Sequence, residues 1–127
     1  MQGYFSLIQY CPCRLRMEVC NTGVILLVPE LEWCDAIECQ SNDRIQQFFG
    51  EKACNYMNAF RNNTTNRIRN EKIRTLPALE QYVNSRANSI VLTKPRSVWV
   101  EAEPQQTLEK LYDEIMGTNR IDQVCKC

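Results

Sequence analysis

The chain contains no histidine among its 127 residues. That absence alone excludes Ser-His-Asp and Cys-His catalysis and every mixed Cys/His zinc site. Net charge is absent too, with 15 Lys and Arg against 15 Asp and Glu. Non-specific attraction to nucleic acid or to an anionic membrane is therefore not built into the whole molecule. No apolar run approaches the roughly 18 to 20 residues that a membrane-spanning helix needs. The opening, MQGYFSLIQYCPCR, has no basic segment ahead of its apolar stretch, which Ser6 and Gln9 interrupt. No secretory signal is expected from it, and the expected location is the cytoplasm. Internal repeats and low-complexity tracts are also missing.

What is present suits one domain. Hydrophobic content of 44% and charged content of 24% are those of an ordinary globular protein. A single α+β domain is expected over 1–117, with 118–127 as a mobile tail. The charges are segregated. Glu30, Glu32, Asp35 and Glu38 crowd one segment, while Arg61, Arg67, Arg69, Lys72 and Arg74 crowd another.

Eight cysteines form an even set, but a reducing cytosol disfavours disulfides. Cys11/Cys13 and Cys125/Cys127 have single-residue spacers, too tight for a zinc knuckle. Cys34 and Cys39 have a permitted spacing but fall in a strand-like run, where an odd offset points them to opposite faces. Free thiols are expected, with no metal and no cofactor.

The stretch YFSLIQY reads as a first strand ended by Pro12. GVILLVPE is a short continuous apolar run, as in a central strand buried on both faces. A tight turn around Pro29–Glu32 leads into EWCDAIEC, a third strand. Helices are expected from Ser41 or Asn42 to Gly50 and around Ala53, Tyr56, Met57 and Phe60. RNNTTNRIRNEK is polar and weakly patterned, a loop or frayed helix end. Leu79, Tyr82 and Val83 mark a helix begun near Pro77. SIVLTKPRSVWV returns to strand, bent or bulged at Pro95. Pro104 opens a last helix, with Leu108, Leu111, Tyr112, Ile115 and Met116 as its apolar stripe. The fold class is α+β: an antiparallel sheet of about four strands with helices packed on it.

Two motifs stand out. In RMEVCNTGV, Arg16, Glu18, Asn21, Gly23 and Val24 follow R-x-E-x-x-N-x-G-V; LTKPRS places Leu92, Thr93, Pro95, Arg96 and Ser97 in L-T-x-P-R-S. Together with TLEKLYDEIM, these stretches resemble the bacterial family catalogued as domain of unknown function 3037, in order along most of the chain. Members of that family are often encoded beside HipA-like kinases. The resemblance thus implies a companion role to such a kinase.

The motif residues admit three readings. Structurally, Gly23 lets a neighbouring strand approach or takes a special conformation, Asn21 tolerates a turn, and Glu18 is held by Arg16 or Arg96. As a binding site, Arg16 and Arg96 converge with Glu18, Asn21, Thr93 and Ser97 on an anion or a carboxylate of a protein partner. As an enzyme, a small hydrolase or transferase is centred on Glu18 and Arg96, though one carboxylate is thin catalytic equipment. A nucleic-acid surface on the basic stretch 61–74 is the remaining alternative. No aromatic residue lies between Arg61 and Arg74 to serve as a stacking platform.

Overall fold

The computed structural model describes residues 1–11, 15, 19–40, 47, 63–84, 90–101 and 103–116. Gln47, within the first helix expected over 41–60, is helical; the rest of 41–60 and the expected tail lie outside the described residues.

The apolar run forms β2, Cys20–Val28, and Val24 to Val28 are all fully inaccessible to solvent. Burial on both faces explains why hydrophobicity there is continuous and not alternating. β2 lies between β1 (Gln2–Tyr10) and β3 (Trp33–Glu38), antiparallel to both. The chain turns from β2 to β3 through one turn of 3-10 helix, Pro29–Leu31, closed by Glu32 in a left-handed conformation (φ 50°). On its other side β1 pairs with β4 (Ile90–Leu92) and β5 (Arg96–Trp99), giving a five-stranded antiparallel sheet.

β4 and β5 are one strand broken at Pro95. Between Ile8↔Leu92 and Phe5↔Arg96, three steps on β1 are matched by four on its neighbour. Pro95 brings no N–H, so the extra residue is accommodated where the ladder has least to lose. Thr93 repairs the gap: its N–H donates to the Leu7 carbonyl (3.1 Å), and its Oγ1 accepts the Leu7 N–H (2.8 Å). A second bulge lies opposite. Ile8 pairs with Gly23 but Gln9 with Asn21, leaving Thr22 as the extra residue. Thr22 is buried and donates its hydroxyl to the Ile8 carbonyl at 3.1 Å.

Helices cover both faces. On one face α1 (Asn63–Glu71) and α2 (Leu76–Asn84) join a core of Ile8, Ile25, Leu27, Ala36, Ile68 and Leu79. On the other, α3 (Pro104–Met116) packs over β2 and β3. Its Leu108 is buried against Val24, Leu26, Val28 and Val100, with Leu111, Tyr112 and Ile115 alongside. Burying a side chain such as Leu108 contributes about 1.5–3 kcal/mol.

The polar stretch read as a loop or frayed end is corrected here: Asn63–Glu71 is helical. Its buried anchors are Thr64, Thr65 and Ile68, an i, i+1, i+4 set containing only one aliphatic residue. Its end is set by Lys72 in a left-handed conformation (φ 53°), with the Lys72 N–H on the Ile68 carbonyl.

Candidate functional site

Alternation along β1 and its partners sorts the motif residues by face. Phe5, Leu7 and Gln9 share the α3 face, and cross-strand partners share it with them. Arg96, paired with Phe5, and Asn21, paired with Gln9, therefore lie on the α3 side. Ser97, paired with Tyr4, lies on the opposite side. Phe5 and Gln9 are separated by about 13 Å along the strand at roughly 3.3 Å per residue. Asn21 and Arg96 thus do not touch. They stand at opposite ends of a strip.

The floor of that strip is apolar. α3 covers β2 and β3, while Phe5 and Leu7 on β1 and Val98 on β5 remain half-buried at the margin of the α3 core. Val91, opposite Gln9, is half-buried as well. Arg96 closes one end, exposed, and its guanidinium makes no hydrogen bond or ion pair with any described residue. The other end is polar and ordered, for Gln9 Nε2 donates to Asn21 Oδ1 at 2.9 Å. Asn21 does not take a left-handed turn; among the described non-glycine residues only Glu32 and Lys72 have positive φ.

Thr93 belongs to the frame of the strip, since its hydroxyl is committed to Leu7. Arg16 and Glu18 lie outside the described residues, and so does the expected ion pair of Glu18 with Arg16 or Arg96. Leu15, just before Arg16, is 97% exposed.

Gly23 answers a different need from the strip. An ideal β-carbon there would lie 2.5 Å from the Ile37 carbonyl oxygen and 3.1 Å from Glu38 Cα and Cγ. Close approach of β3 is thus the reason for glycine, as one of its two expected roles. The approach seats Glu38, a buried residue whose carboxylate accepts the Thr65 N–H (3.0 Å) and the Thr65 hydroxyl (2.7 Å). Strand β3 thereby holds the first turn of α1, where a carboxylate also complements the helix dipole. Nothing in the local sequence marks Glu38 for this, because its partner is 27 residues away.

The basic stretch is partly committed inside the molecule. Arg69 is in a two-point contact with Asp35, Nε to Oδ1 at 3.0 Å and Nη2 to Oδ2 at 3.3 Å. That hydrogen bond, then the charge of Asp35, raises the Arg69 pKa. Arg67 lies over the Tyr82 ring, 5.2 Å from its centroid. Tyr82 is buried, so its ring is not a free platform for a base.

Cys11, Cys20, Cys34 and Cys39 form no disulfide with one another. Burial first, and then the neighbouring Asp35, pushes the Cys34 thiol from 9.0 up to about 12, against a smaller opposing effect of Arg74. Cys34 is thus a neutral thiol at physiological pH, a poor nucleophile and metal ligand. Among the described residues no cluster of three or more Cys, Asp or Glu side chains is placed to hold a metal ion, and no helix is long and apolar enough to cross a membrane.

No curated protein and no solved structure matches this chain. A family described as protein of unknown function (DUF3037) matches residues 5–116, a span that runs from the middle of β1 to the end of α3 and includes both bulges, Asn21, Gly23 and Arg96. The chain belongs to that family.

Proposed function

We propose that this chain is a non-enzymatic accessory or regulatory protein that binds a protein partner through the strip between Asn21 and Arg96. The observation that carries the reading is Arg96: an exposed guanidinium without a described partner, at the end of a half-buried apolar strip. An apolar centre with a polar rim is the usual anatomy of a protein interface, and arginine is enriched there. The guanidinium fork suits a partner carboxylate. The Gln9–Asn21 pair offers amide donors and acceptors at the far end.

The family resemblance makes a HipA-like kinase in a bacterial cytoplasm the candidate partner. The basic stretch supports the nucleic-acid alternative poorly, since Arg69 is engaged by Asp35 and Arg67 by Tyr82. The test of partner identity is direct titration of the purified chain with a HipA-like kinase from its native host. Saturable binding that Arg96→Glu weakens at least about tenfold, or about 1.4 kcal/mol, is expected. Absence of binding would remove the kinase from the reading.

A further inference from the structure

The outer edge of β5 carries main-chain groups that no described residue bonds. Met1 and Val100 exchange both main-chain bonds, the Met1 N to the Val100 carbonyl (2.9 Å) and the Val100 N–H to the Met1 carbonyl (2.8 Å). Alternation in an antiparallel ladder makes Gly3–Val98 and Phe5–Arg96 the next exchanging pairs. Ser97 and Trp99 therefore turn their N–H and C=O groups away from β1, and no described residue bonds them. Their side chains share one face. Ser97 is exposed, and the Trp99 indole is 66% exposed. An open edge bearing a large exposed aromatic is a template for a further strand.

The charges around this edge indicate which strand. Lys94 and Arg96 precede it, and Glu101 and Glu103 follow it. All four are exposed. A segment cationic at one end and anionic at the other is self-complementary in antiparallel order. In parallel order like charges would meet, which is unfavourable. Lys94 and Pro95 also stop the ladder from growing towards β4, because proline brings no donor.

We propose that β5 pairs antiparallel with β5 of a second copy of this chain, about a two-fold axis at Val98, joining two five-stranded sheets into one. Ser97 of each copy then exchanges main-chain bonds with Trp99 of the other. The two Trp99 side chains become diagonal neighbours, about 7–8 Å apart and within reach of one another. The cationic end of one strand, carrying Lys94, then lies alongside the anionic end of the other, carrying Glu101, while Arg96 stays on the α3 face. The interface is isologous, so each contact occurs twice. The axis is perpendicular to the sheet, so both strips between Asn21 and Arg96 stay on the same side of the joined sheet.

Sedimentation equilibrium of the full chain over a concentration series tests this. A monomer–dimer equilibrium is expected for the wild type. Lys94→Glu should weaken it about tenfold, and combining it with Glu101→Lys should restore most of the loss. Ser97→Pro removes an outward N–H that β1 does not use, and it should abolish the dimer while circular dichroism stays unchanged. The charge variants change exposed side chains only, so they report on the interface even if Ser97→Pro folds poorly. A wild type that is monomeric at every concentration would overturn the proposal and leave the edge to a strand of another protein. A dimer indifferent to Lys94→Glu would overturn it as well.

Discussion

Replacing Thr93 by valine separates framework from working surface within the motif LTKPRS. Valine matches threonine in shape and keeps β-branching, but it removes Oγ1, the acceptor of the Leu7 N–H at 2.8 Å. That N–H lies beside the Pro95 bulge, in a partly buried position. A hydrogen bond of this kind contributes a net 0.5–1.5 kcal/mol or so, and a stranded buried donor costs about 1–3 kcal/mol. Partial burial places the expected loss at about 1–2 kcal/mol, because water can reach part of the group. For a chain of this size each kcal/mol corresponds to roughly 3–5 °C in Tm. Urea unfolding should show a lower midpoint with an unchanged m value. Thr93→Ser keeps the hydroxyl and should retain most of the stability. Hydrogen exchange at the Leu7 amide should accelerate in the valine variant and not in the serine variant. Ser97→Ala, on the exposed neighbouring position, should stay within about 0.5 kcal/mol of wild type. A Thr93→Val protein as stable as wild type, with an unaltered Leu7 amide, would refute the claim that Thr93 holds the bulge.

Other outcomes follow from the same geometry. Gly23→Ala places a β-carbon against the Ile37 carbonyl, a main-chain atom that cannot step aside alone; a loss of at least about 1–3 kcal/mol in urea unfolding is expected. Leu108→Ala should cost about 2–5 kcal/mol by thermal or urea unfolding, through lost burial and the cavity left against Val24, Leu26 and Val28. The Cys34 thiol has its folded pKa raised from 9.0 to about 12. Above pH 9 the unfolded chain releases this proton and the folded chain keeps it, so stability present below pH 9 is lost progressively as pH rises towards 12. A stability profile across that range should fall less steeply in Cys34→Ala. Arg69→Ala, which breaks an exposed ion pair with Asp35, should change stability by less than about 1 kcal/mol, and less still at high salt.

How far the sequence discloses this architecture depends on where the signal is local. Val24 to Val28 announce a strand buried on both faces because five consecutive apolar residues leave no solvent face. Pro95 announces the break between β4 and β5 because it lacks an N–H, and the stripe from Leu108 to Met116 announces α3 by its period. The helix Asn63–Glu71 is hidden, since two of its three buried anchors are threonines and its first turn is held by Glu38 from another strand. The candidate site was legible as residues but not as an arrangement. Two one-residue bulges, at Thr22 and beside Thr93, shift pairing on both sides of β1. Pairing alone reveals that Asn21 and Arg96 share a face with Phe5 and Leu7 while Ser97 turns to the other. Trp99 carried no motif to mark it. Its exposure follows only from its place on an edge strand.

The central claim is that the strip between Asn21 and Arg96 recognises a protein partner. Quantitative co-purification from the native host, comparing the wild-type chain with Asn21→Ala/Arg96→Glu, tests it most directly. Wild type should retain a stoichiometric protein that the double variant loses at least about tenfold, while the variant still unfolds cooperatively. A cooperatively folded double variant that retains the same protein in the same amount would contradict the account.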